Sequence, residues 1–157
     1  MIKRGQVLNL KVGYADGGAA NYKRPFLIMD IKDNFVYGLN VSSLRNKTHK
    51  ILFNSTLIIN RFNPPLRVLS YLKLDAVYKF PVVDGIEKHL MDNGNNLHSM
   101  EFDYIYEYFT EFKENNIVRQ KEVSIEELAL YNEHINLDDD IEEEILPREI
   151  IQENILA

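Results

Sequence analysis

The sequence predicts a β-rich α+β protein: a small barrel or curled sheet over residues 1–90, then an acidic helical extension over residues 91–157. Three observations predict it. Short apolar runs separated by Gly- and Pro-containing turns fill the first part, with no long helical pattern between them. Phe102, Ile105, Tyr106, Phe109 and Phe112 recur at the three-to-four spacing of an amphipathic helix in the second. Charge divides at the same place. Residues 1–90 hold 14 Lys/Arg against 6 Asp/Glu, and residues 91–157 hold 4 against 18, so the net charge of −6 conceals a basic body and an acidic tail region.

Each element follows from local chemistry. Val7, Leu8, Leu10 and Val12 give a first strand. Residues 13–23 (GYADGGAANYK) carry Gly17-Gly18 among small residues and read as a flexible loop. Pro25 to Ile31 is an apolar run fit for a buried strand, with proline at its mouth, where no ladder donor is needed. Lys32-Asp33-Asn34 turns the chain, and Phe35 to Val41 returns as the second arm of a hairpin. Ile51-Leu52-Phe53 precedes a turn at Asn54-Ser55, and Thr56 to Asn60 reads as a strand. Asn63-Pro64-Pro65 breaks the chain by removing two donors. Residues 68–80 fit either period; the alternation of Leu72, Leu74, Ala76 and Tyr78 favours an extended segment over 72–80.

Beyond that point, residues 84–90 suggest a short helical turn, and the Asn/Gly-rich stretch 92–96 a boundary loop. Ser124 and Glu127 have capping-box spacing, which opens a helix from Ile125 to about Ile135. Asp138-Asp139-Asp140 opens a further one, because carboxylates favour the positive end of a helix dipole, and Pro147 interrupts it.

The absence of cysteine excludes disulfides and thiolate zinc sites. Neither a secretory apolar stretch at the start nor any apolar run of about 18 residues occurs, so a cytoplasmic protein with no membrane partner is expected. A basic body of this kind suits a polyanion such as RNA.

Three pieces of the first half carry a resemblance in order: Arg4-Gly5-Gln6-Val7, then Gly17-Gly18 with Tyr22-Lys23-Arg24-Pro25 before Phe26-Leu27-Ile28, then Val41-Ser42-Ser43. Together they resemble the MazF/PemK-like toxin family over about residues 3–80. The resemblance implies an SH3-like barrel, a homodimer, an antitoxin protein as partner, and cleavage of single-stranded RNA with no metal or other cofactor. It places Arg24 at the family's functional arginine and Ser42 at its functional Thr or Ser. The chemistry is coherent: with no metal, the ribose 2′-OH attacks its own phosphate, and the protein supplies positioning and charge. An arginine fork can hold two phosphate oxygens.

Around these residues, Ser43, Arg45, Lys47, His49 and Lys50 form a polar, basic stretch suited to phosphate, with Tyr22 and Lys23 on the approach to Arg24. Tyr14, Tyr22 and Phe53 could stack on bases, although aromatics in a short β protein more often fill the core. Arg61 and Arg67 flank the Pro-Pro turn, with surface charge as the default reading and RNA binding as the alternative. His89 and His98 lack metal-ligand spacing. The rival reading is a non-catalytic binding module for RNA or a protein, suggested by Gln6 where the family has an acid and by the acidic helices as a binding surface. A third has the carboxylates of 138–144 masking the basic body from within.

Overall fold

The computed structural model describes residues 1–44, 54–59 and 65–137. Arg45, Lys47, His49, Lys50, Phe53, Arg61 and the acidic run 138–144 lie outside the described residues, as do the turn of helix opened at Asp138 and its interruption at Pro147. The strands are β1 (Val7–Leu10), β2 (Arg24–Lys32), β3 (Phe35–Ser43), β4 (Thr56–Ile59), β5 (Ser70–Pro81) and β6 (Arg119–Glu122). Among the described residues there are also two helices, α1 (Ser99–Asn115) and α2 (Ile125–Tyr131), and 3₁₀ turns at Ile86–His89 and Asp92–Gly94. The segment of ambiguous period is β5. Asp33 and Asn34, at φ 55° and 67°, form the two-residue left-handed loop that matches strand twist in a β2–β3 hairpin.

The expected SH3-like barrel does not form. The six strands make one open sheet in the order β1-β2-β3-β5-β4, with β6 parallel to β5, and β1 does not meet β4. The reason lies in β5, whose outer edge is shared between β4 at residues 70–73 and β6 at residues 76–79. The free edge of β1 is met instead by the segment after β5: Met91 N donates to Val7 O at 2.8 Å, and Leu97 N donates to Gly5 O at 2.8 Å. The β1 edge is thereby occupied without closure.

Nor do the helices form an appendage to a barrel, because each covers one face of the sheet. Phe102, Ile105, Phe109 and Phe112 of α1 bury against Val7, Leu27, Leu39, Leu72 and Leu74. On the other face Leu128 of α2, with Val123 and Ile135, buries against Leu8, Leu10, Phe26, Ile28 and Phe80. The run Phe26-Leu27-Ile28-Met29 is therefore apolar on both sides because both sides face a helix, as a central strand requires. Each cluster joins residues from both sides of residue 90, and the acidic side chains of α1 and α2 point mostly outward.

Irregularities interrupt this regular frame, one of them a shift in the β2–β3 register between Ile28 and Asp30. Between Leu39 and Val41 the register against β5 jumps from Val77 to Leu72, so Asn40 faces four β5 residues, Lys73 to Ala76. This bulge bends β5 and leaves a gap beside the start of β2. At Gly85, φ is 93° and a Cβ would overlap the His134 carbonyl, so only glycine lets the 84–86 turn close on residues 134–136.

Candidate phosphate-binding site

Arg24 is the first residue of β2, and its side chain runs inward to 3% exposure. Its Nη2 donates to Val12 O at 2.9 Å and Gly13 O at 3.2 Å, while Nη1 reaches Asn40 Oδ1 and the Tyr78 hydroxyl, each at 3.4 Å. The guanidinium carbon lies 3.8 Å from the Tyr14 ring centroid and 5.2–5.3 Å from those of Phe26 and Tyr78. The aromatic faces give a delocalised cation a favourable electrostatic surface. Two things are missing. Among the described residues no carboxylate pairs with Arg24, and its Nε–H has no hydrogen-bond partner. A buried cation with only neutral acceptors and an orphaned donor is costly unless an anion completes it.

A cavity adjoins Arg24. Arg24 and Asn40 line a cavity of about 170 Å³ that opens at the β5 bulge, together with two further cations, Lys73 and Arg119, and two carboxylates, Asp16 and Asp75. Tyr14 and Tyr78 complete its aromatic wall.

The loop between β1 and β2 is organised around this cavity rather than left slack. Tyr14 N donates to Gly18 O, Gly17 N donates back to Tyr14 O, and Ala15 N donates to the Tyr78 hydroxyl, all at 2.9 Å. Gly17, at φ 98°, supplies the left-handed residue of the turn. A hydrogen bond with Tyr22, then burial, raises the Tyr14 pKa above 10.0, with the Arg24 charge opposing. Glu127 of α2 fixes the root of the loop: its Oε2 accepts from Gly13 N at 2.7 Å and its Oε1 pairs with Lys121 at 3.4 Å. The capping box is therefore half made. Ser124 Oγ accepts from Glu127 N at 3.0 Å, but the Glu127 carboxylate turns to the loop instead of back to Ser124.

The other sequence-derived candidates disperse. Ser42 and Ser43 sit at the end of β3, opposite Tyr71 and Ser70 of β5, half-buried and outside the lining of the Arg24 cavity. They share its end of the hairpin, since the β2–β3 ladder reaches Phe26–Asn40 and Arg24 and Ser42 each lie two residues further. Lys23 is exposed and Tyr22 is 59% exposed at the approach. The opening motif is spent on structure. Arg4 donates from Nε to Met29 O and lies 4.4 Å from the Tyr106 ring, and Gly5 adopts φ 90°. Gln6, 4% exposed, bonds Lys3 N and Gly94 O, which accounts for a neutral amide at that position. His98 caps α1 through Met100 N, and His89 Nε2 lies 2.6 Å from Glu133 O. Among the described residues no group of three or more His, Asp or Glu could hold a metal.

Sequence reasoning passed over Asn40, Tyr78, Lys73, Asp75 and Arg119. Asn40 had a signal, a polar residue within the apolar run of β3; the others are gathered only by the register jump and by β6.

No protein-family model matches the chain, and no curated protein matches it. The likeness to the MazF/PemK-like toxins rests on the short motifs alone. Among the described residues no helix is long and apolar enough to cross a membrane.

Proposed function

We propose that this chain is a metal-independent endoribonuclease that seats a phosphate of single-stranded RNA against Arg24. The observation that carries the reading is a buried guanidinium that pairs with no carboxylate among the described residues and has an unpartnered Nε–H, on a residue that lines a cavity. Arg24 binds the scissile phosphate and stabilises the charge that builds on its oxygens during attack by the 2′-OH. Asp16 and Asp75, on the same cavity, are the groups available to take the 2′-OH proton or deliver one to the leaving oxygen. Lys73 and Arg119 add attraction for the backbone. The motif resemblance supports RNA as the polyanion, a cytoplasmic toxin held by an antitoxin, and a homodimer as the working form.

A labelled single-stranded RNA, incubated with the protein in EDTA, tests this. Cleavage to cyclic phosphate ends is expected, with Arg24→Lys slower by on the order of 10²-fold because it keeps charge but loses the fork. Asp16→Asn and Asp75→Asn identify the proton-transfer group as the one whose loss flattens a limb of the pH–rate profile. Intact RNA with wild-type protein, or an Arg24→Lys rate equal to wild type in a folded variant, overturns the proposal. One observation favours a second reading, a module that binds RNA without cutting it: the Ser42 hydroxyl is not in the cavity. Retained RNA in a binding assay, with no products in EDTA or magnesium, selects that reading.

A further inference from the structure

A second cavity, of about 370 Å³, lies where α1, β6 and the β2–β3 hairpin meet on the opposite face of the sheet. Three exposed cations border it: Lys32 at the end of β2, Lys113 in the last turn of α1, and Arg119 at the start of β6. None has a carboxylate within 4 Å among the described residues. The one acidic side chain in the lining, Asp30, accepts from the Tyr106 hydroxyl at 3.1 Å. Tyr37 and Tyr106, both half-buried, supply aromatic surface in the lining, and Lys113 Nζ lies 5.0 Å from the buried ring of Phe109.

Arg119 lines both this cavity and the Arg24 cavity. It can do so because β6 ends the sheet there: Arg119 pairs with Ala76 at the lip of the β5 bulge, so its side chain stands at the rim between the two faces. We propose that the α1–β6 groove is an extension of the RNA-binding site, taking the backbone and a base of a nucleotide that neighbours the one seated at Arg24, with the strand passing over Arg119. The inference rests on the reading of the Arg24 cavity as an RNA site. Charge complementarity commits the occupant: cations with no carboxylate partner among the described residues, spaced around aromatic walls, match a single strand, whose phosphates recur between stackable bases. The helix and strand that build the groove come from the part of the chain that is acidic in sum, yet Lys113 and Arg119 face the groove together.

The test compares a fluorescent single-stranded RNA of about a dozen nucleotides, long enough to span both cavities, with a trinucleotide, in EDTA and over a salt series. The double variant Lys32→Gln/Lys113→Gln leaves the lining of the Arg24 cavity untouched and keeps the aliphatic stem of residue 113 over Phe109. It is expected to weaken the long RNA by roughly 10-fold and to lower its log–log salt slope by about 1.4, at about 0.7 per phosphate contact on a single strand. Trinucleotide affinity should be unchanged, whereas Arg24→Lys should weaken both. An unchanged dodecamer affinity and salt slope in the double variant, with Arg24→Lys still defective, overturns the groove and leaves the Arg24 site standing. Absence of RNA binding by the wild-type protein overturns both.

Discussion

The two faces of the sheet are built by different means. The α1 face is closed by burial: Phe102, Ile105, Phe109 and Phe112 meet aliphatic side chains of β1, β2, β3 and β5, and its interior is apolar. The α2 face has a comparable apolar centre, where Phe26 packs edge-on against Phe80 at 5.1 Å and tilted against Tyr78 at 4.9 Å. It is also stitched with side-chain hydrogen bonds to backbone. Asn132 imitates a peptide group, accepting from Lys11 N at 2.8 Å and donating to Lys11 O at 2.9 Å, and Glu127 holds Gly13 N. Burial holds a helix against a sheet, but it does not aim a loop. The polar stitching on the α2 face does, and the loop it aims carries Tyr14 and the two carbonyls that orient Arg24.

Substitutions that break one kind of attachment and not the other sharpen the contrast. The largest stability loss is expected on the α1 face: Phe109→Ala should cost about 3–5 kcal/mol in denaturant unfolding, the usual range for a buried Phe. Affinity for a trinucleotide, the probe of the Arg24 cavity, should hold on the fraction that stays folded. Asn132→Ala should cost less, about 1–3 kcal/mol, because it leaves the Lys11 N–H and C=O unpaired. It should nevertheless weaken RNA binding. Glu127→Ala is smaller again in stability, about 1 kcal/mol, and should raise amide exchange at Gly13 and Tyr14.

A pH measurement probes the α1 border. Burial, then the hydrogen bond to Asp30, holds the Tyr106 pKa above 10.0, with the Arg4 charge opposing. The folded state therefore keeps its proton where the unfolded chain has lost it. This contribution is fully present below pH 10.0 and is lost as pH climbs through the raised value. Tyr106→Phe should flatten that alkaline limb of the stability curve; an unaltered limb would assign it elsewhere. The smallest effect belongs to Arg67→Ala. Its bridge to Asp92 is 3.0 Å long but leaves Arg67 79% exposed, so no more than about 1 kcal/mol is expected.

Much of the strand and helix pattern was legible, because it depends on neighbours in sequence. Asp33-Asn34 announces its turn, the Phe102–Phe112 stripe its helix, and Ser124 its cap. Closure of the sheet was not legible. An apolar run such as Phe26 to Met29 fits a small barrel as well as a central strand between two helices, and only the partition of the β5 edge decides. Arg119-Gln120-Lys121-Glu122 carries no strand signal at all; it pairs because β5 leaves that edge open to it. Arg24 was singled out from its Arg-Pro setting, but its surroundings were not. The bulge that sets Asn40 against four residues of β5 assembles the cavity from side chains as distant in the chain as Tyr14 and Arg119. Gln6, read as a departure from a motif, proved to be a buried tie between the N-terminus and residue 94.

The claim on which the functional account turns is that the Nε–H of Arg24 is kept for a phosphate. Its proton–nitrogen signal can be followed by NMR while a single-stranded RNA is titrated in under EDTA. A saturable shift of that one signal, lost when the RNA is replaced by a neutral-backbone analogue, is the predicted result. A signal that stays in place while RNA binds elsewhere on the protein would contradict the account.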